Sequence, residues 1–130
     1  MPVALTVSCH CGAVRIDMRR KPRSLTSCNC SICRRYGALW AYFTRKSVNY
    51  DYAPDAVKAY VWGNETIEFF HCARCGCVTH YERTAKKGDD TRVGINVRNA
   101  DPAAVASLRI RKLDGASAWK SVRKWRHGWA

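Results

Sequence analysis

Eight cysteines in 130 residues are the side chains whose type and spacing bear most directly on chemistry. Cys9 and Cys11 stand one residue apart, Cys28, Cys30 and Cys33 form a triplet, and Cys72, Cys75 and Cys77 follow within "FHCARCGC". Disulfides across loops this short would be strained. No apolar run reaches the ~20 residues of a membrane helix. The opening "MPVALTVSCHCG" lacks the basic-then-apolar layout of a secretory signal. A cytoplasmic address is therefore expected. In that reducing compartment a cysteine-rich chain holds metal rather than disulfides.

A structural zinc takes four thiolates or imidazoles, commonly as two pairs from two hairpins. Cys9 with Cys11 is one such pair and Cys72 with Cys75 is another, the second followed by a glycine that suits a tight knuckle turn. Joining them would clip the N-terminal strand to the middle of the chain and close a long loop. Two readings remain for Cys28, Cys30 and Cys33. Either they hold a metal with its fourth position free for substrate, as catalytic zinc sites do, or Cys77, His71 or His80 completes a closed site. Ligand counting alone tilts towards closure, because eight cysteines divide into two sets of four.

The elements that must position these residues read mainly as short strands in one domain spanning 1–130. Val14, Ile16 and Met18 alternate with Arg15, Asp17 and Arg19, the period of a half-buried strand. "LWAYF" (39–43), "KAYVW" (58–62) and "TIEFF" (66–70) are β-branched or aromatic, and Gly63-Asn64 supplies a hairpin turn between the last two. Val93, Ile95 and Val97 form another alternating run, as do Leu108 and Ile110. Asp101 followed by Pro102 marks a short helix start. A second helical turn follows Cys30 through "SICRRYG" and ends at Gly37. Short strands at close spacing argue for a sandwich or folded sheet.

The formal net charge of +13 is shared about evenly between the two halves, with local clusters at "RRKPR" (19–23) and "KSVRKWRH" (120–127). Such patches attract nucleic acid or acidic small molecules. No nucleic-acid motif is recognised, so a solvated surface is the preferred reading. Metal-bound thiolates would lower the charge further.

"SCHCGAV", "SCNCSICRRYGALW" and "FHCARCGC", followed by "RVGINVRN" and "ASAW", together resemble the glutathione-dependent formaldehyde-activating enzyme family, which also includes relatives of centromere protein V. The resemblance spans residues 8 to 119 and places seven cysteines in the family's order and spacing. It implies a β-tent fold, two small antiparallel sheets tied by zinc knuckles with one or two short helices. It implies two zinc ions per chain, one structural on Cys9, Cys11, Cys72 and Cys75, and one catalytic on Cys28, Cys30 and Cys33, the second less fully occupied. The weighting for the triplet thereby moves to the open site. Cys77 falls outside the family's pattern, and is read as a small packed residue facing the same way as Cys75.

The activity implied is a carbon–sulfur lyase that joins formaldehyde to glutathione. An open zinc position would ionise a thiol whose own pKa of ~8.5 leaves it mostly protonated at neutral pH. It could instead polarise the carbonyl, although three thiolates make the metal a weak Lewis acid. Arg34, Arg35 and Arg98 are candidates for the carboxylates of glutathione, each against the alternative of a solvated arginine. Tyr36, Trp40 and Trp119 are candidate pocket walls, with hydrophobic core the preferred reading of each. His10, His71 and His80 read as neighbours of the metal or as surface residues rather than ligands, and His127 belongs to the basic tail. The rival functions are a non-catalytic zinc module whose basic face binds an acidic partner such as nucleic acid, and a thiol or metal sensor.

Overall fold

The computed structural model of the chain describes residues 2–117 and 119–123. His127, the end of the second basic cluster and Ala118 of "ASAW" lie outside the described residues. A three-stranded antiparallel sheet contains β1 (Leu5–Ser8), β2 (Arg15–Met18) and β5 (Val48–Asp51), in that order. The second sheet has eight strands. They are β3 (Ser24–Cys28), β4 (Trp40–Thr44), β6 (Val57–Val61), β7 (Ile67–Cys72), β8 (Val78–Arg83), β9 (Arg92–Asn96), β10 (Arg109–Leu113) and β11 (Ser121–Val122). Their spatial order is β11-β10-β3-β4-β9-β8-β7-β6.

The expected mainly β, two-sheet architecture with short helices is what the chain adopts. One sheet is larger than expected, and it is not wholly antiparallel. β10 runs parallel to β3, with Arg111 level with Thr26 and Leu113 level with Cys28. A parallel pair needs a long crossover, and most of the chain lies between these two strands.

Alternation assigns the two faces of the large sheet. Leu25, Leu39, Ala41, Phe43, Val93 and Ile95 turn towards Leu5, Val7, Ile16 and Met18 of the small sheet and form the main core. The intervening residues Thr26, Cys28, Trp40, Tyr42 and Arg92 therefore project from the opposite face, because side chains alternate along a strand. α1 (Ser31–Tyr36) begins at Cys30, whose sulfur accepts the Cys33 backbone N–H, and ends at Gly37 in the left-handed conformation. α2 (Pro102–Val105) is capped by the Asp101 carboxylate, which accepts the Ala103 N–H. Val97, expected to continue β9, instead enters a 3-10 turn (Val97–Asn99) capped by Asn96. The Asn96 side chain accepts from Leu39 N at 3.1 Å and Arg98 N at 3.2 Å, which ends the ladder there.

Candidate metal centres and an aromatic cleft

The Sγ atoms of Cys9, Cys11, Cys72 and Cys75 lie within 4.8 Å of one another. Cys11 Sγ is 3.7 Å from Cys9 Sγ and 3.6 Å from Cys72 Sγ. Tetrahedral zinc with Zn–S bonds of ~2.3 Å separates its sulfurs by about 3.8 Å, so the spacing fits that ion. Both knuckles turn at glycines held in the left-handed region, Gly12 at φ +85° and Gly76 at φ +81°. A side chain at either would strain the turn. The turns aim amides at sulfur: Val14 N lies 3.3 Å from Cys9 Sγ, and Arg74 N and Cys75 N each lie 3.4 Å from Cys72 Sγ. Backbone donation, from Cys77 first and Cys11 next, holds the Cys75 thiol down at about 5. These donors favour thiolates, the form a metal takes.

The buried triplet Cys28, Cys30 and Cys33 also brings its sulfurs within 4.8 Å of one another. Among the described residues no further cysteine, histidine or carboxylate joins it. The donors around it are Cys30 N to Cys28 Sγ at 3.4 Å, Cys33 N to Cys30 Sγ at 3.4 Å, and Trp40 Nε1 to Cys33 Sγ at 3.3 Å. Hydrogen bonds from Cys28 and then Cys33 hold the Cys30 thiol far below its ordinary range. The same sharing pushes Cys33 far up. Three mutually close thiols, each reached by a donor, suit a divalent thiophilic ion, and no described residue supplies a fourth ligand.

A second set of contacts holds the triplet in place. Asn29, buried between Cys28 and Cys30, donates from Nδ2 to Asp114 Oδ1 at 3.1 Å and accepts from Ala116 N at 3.0 Å. Ser117 donates to Asp114 Oδ2 at 2.7 Å. Residues 114–117 are thereby folded against the cysteines.

The triplet opens on a cleft of about 850 Å³. Its floor includes Trp40, Tyr42, Phe69 and Tyr81, with the Tyr81 ring edge-on to Trp40 at 4.8 Å between centroids. Gly94 makes room for that ring, since a Cβ there would overlap Tyr81. Trp62 and Trp119, both exposed, stand at the margins. Arg83, Arg92 and Arg111 also line the cleft, and among the described residues no acidic one does.

The sequence model described as glutathione-dependent formaldehyde-activating enzyme matches residues 4–109. The chain belongs to that family. A Rhodobacter sphaeroides protein of known crystal structure is similar, with 26% sequence identity and a TM-score of 0.65 over 81% of this chain and 98% of that one.

Against this family frame, the seven expected cysteines gather into the two expected groups of four and three. Cys77 does not approach the triplet. It packs half-buried beside Cys9, Val14 and Cys72. His80 is fully buried elsewhere, bonded to Tyr52 Oη at 3.1 Å and Thr79 Oγ1 at 2.8 Å. Neither His10 nor His71 joins a thiol group. The arginine candidates miss the cleft: Arg98 Nε donates to Gly37 O at 2.7 Å, Arg35 Nη1 to Ser31 O at 2.8 Å, and Arg34 is not among the lining residues. Trp40 does wall the cleft and is also a donor to sulfur, which core packing alone does not describe. Trp119 is 66% exposed and lines the cleft, so the core reading does not hold for it. Tyr36 packs edge-on against Phe69 at 5.5 Å, outside the cleft, as a core residue would.

Proposed function

We propose that the chain is a zinc-dependent carbon–sulfur lyase of the cytoplasm that condenses a small aldehyde such as formaldehyde with glutathione or a related thiol. Cys9, Cys11, Cys72 and Cys75 would hold a structural zinc, and Cys28, Cys30 and Cys33 a catalytic one. The observation that carries this reading is the triplet: three buried thiols with no fourth ligand among the described residues, opening on an aromatic cleft. Family membership supports the formaldehyde-activating class of chemistry.

In the reaction the sulfur attacks the carbonyl carbon, a C–S bond forms, and the carbonyl π pair passes to oxygen. The thiol proton ends on that oxygen, giving an S-hydroxymethyl thioether with nothing oxidised or reduced. Zinc at the triplet supplies a site at which a substrate thiol is ionised at neutral pH. The protein's part is to hold the donors. The Trp40 indole and the α1 amides draw charge from the cysteine sulfurs, and the aromatic floor excludes water from the reacting atoms. Confining both reactants in one cleft removes much of the entropic cost of their meeting.

The test is exchange between formaldehyde and glutathione followed by two-dimensional NMR, with the spontaneous reaction subtracted. Added enzyme should accelerate exchange, and Cys30→Ser should return it to background. A wild-type rate equal to background would remove the proposed reaction.

A further inference from the structure

Among the described residues, the cleft beside the triplet carries three guanidinium groups and no carboxylate to neutralise them. Two of its arginines are exposed: Arg92 lies over the Tyr42 ring at 3.7 Å, and Arg83 stands on β8. Arg111 differs from both. It is half-buried, its Nη2 donates to Thr26 Oγ1 at 3.2 Å, and its Nε is buried with no hydrogen-bond partner. A buried N–H on a cation without an acceptor is costly. Arg111 nonetheless lines the cleft, so its charge acts on whatever binds there.

The sheet register places these charges relative to the cysteines. Leu113 is level with Cys28, and Arg111 is level with Thr26, two residues further along the same face. That is a rise of about 7 Å. Tyr42, Gly94, Tyr81 and Phe69 form a cross-strand row beyond it. Arg92 and Arg83 lie two residues past Gly94 and Tyr81 in their own strands, on the side of the row away from Trp40. The cleft is therefore a trough, with thiols at one end, one guanidinium part-way along and two at the far rim.

We propose that Arg111 is a specificity-determining residue whose guanidinium binds one carboxylate of a dicarboxylate thiol, while Arg83 and Arg92 receive the second carboxylate at the far rim. The assignment rests on the thiol-adduct reading for the role of the triplet. Its own content is that the anionic ends of the substrate, and not only its sulfur, are recognised, and by these three arginines. Guanidinium groups suit the task because their planar donor forks match carboxylate geometry. The intervening aromatic row fits the apolar backbone between two such carboxylates and leaves a neutral thiol with little to hold it.

The probe is S-methylglutathione, which keeps both carboxylates and has no thiol to ionise. Binding is read by tryptophan fluorescence, since Trp40, Trp62 and Trp119 line the cleft. Arg111→Gln should raise the dissociation constant at least about tenfold, the scale of a lost charge-assisted bond. Arg35→Gln, which changes net charge equally but lies outside the cleft, should leave it unchanged. The double variant Arg83→Gln/Arg92→Gln should also weaken binding, and it decides the matter alone if Arg111→Gln fails to fold. The assignment is overturned if the wild type does not bind S-methylglutathione, or if the folded cleft variants bind it as the wild type does. Because the probe needs no reaction, this outcome is separable from formaldehyde exchange. Exchange at background with arginine-dependent binding would fell the proposed activity and keep the anion site, and the opposite pattern would do the reverse.

Discussion

Gly115 stands where a single methyl group would meet the triplet. A Cβ built on it lies 2.5 Å from Cys28 Sγ and 3.1 Å from Cys30 Cβ, closer than unbonded atoms tolerate. Neither cysteine can retreat, because both are buried and Asn29 between them is bonded to Asp114 and Ala116. Gly115→Ala should therefore displace Cys28 from the proposed ligand set and lower zinc content from the proposed two ions per chain towards one. Melting temperature should change little, since the other four cysteines are untouched. Elemental analysis beside a thermal melt checks this, and full zinc content in the variant would show that the 114–117 segment does not bear on the site. The cysteines themselves were legible in the sequence because knuckle spacing is local. Gly115 and Arg111 were not. Each reaches the site through strand pairing across dozens of residues, and no local pattern in the chain records which strands become neighbours.

At the scale of elements, the two cysteine groups do different work. Cys9 and Cys11 lie in the β1–β2 connection of the small sheet, while Cys72 ends β7 and Cys75 lies in the β7–β8 connection of the large one. Their cluster ties one sheet to the other across a sequence separation of 61 residues, from Cys11 to Cys72. A cross-link over that span removes about 4 kcal/mol of chain entropy from the unfolded state. The triplet runs from the end of β3 into α1, adjacent elements in the sequence, and closes almost no loop. Cys72→Ser should thus lower the melting temperature by roughly 10–20 °C, whereas Cys30→Ser should lower it by only a few degrees while removing one zinc. Equal losses would make the triplet a structural site. The strands supporting these clusters were only partly readable. β4, β6, β7 and β9 announce themselves by β-branched and aromatic runs. β3 reads "SLTSC" and β8 reads "VTHYER", sequences too polar to show an apolar period. Their polar residues are nonetheless buried, as Thr26, Thr79 and His80 are, because each finds a hydrogen-bond partner inside.

Across the whole molecule, His80 is the point at which the two sheets share a titratable group. Its ring stacks on Phe70 of the large sheet at 4.6 Å and lies 4.7 Å from the ring of Tyr50 on β5 of the small sheet. Tyr52, just beyond β5, bonds its Nε2, and Thr79 bonds its Nδ1. Burial, with smaller contributions from the Arg45 and Lys87 cations, lowers its pKa from an ordinary 6.5 to about 3. The folded protein thus keeps His80 neutral where the unfolded chain protonates it. Between pH 6.5 and 3 the unfolded state binds the extra proton, so stability falls as pH falls, by up to about 1.4 kcal/mol per pH unit. Above pH 6.5 both states are neutral at this residue and it contributes no slope. His80→Gln retains groups that can bond Tyr52 and Thr79 but cannot take up the proton. Its melting temperature should start below that of the wild type at pH 7, because the ring contacts are lost, and then decline less steeply towards pH 4.5. Proton competition for the cysteine ligands acts on both proteins in this range and drops out of their difference. Parallel curves would mean that His80 takes up its proton without separating the sheets, and that the acid sensitivity of the fold resides in its cysteine groups.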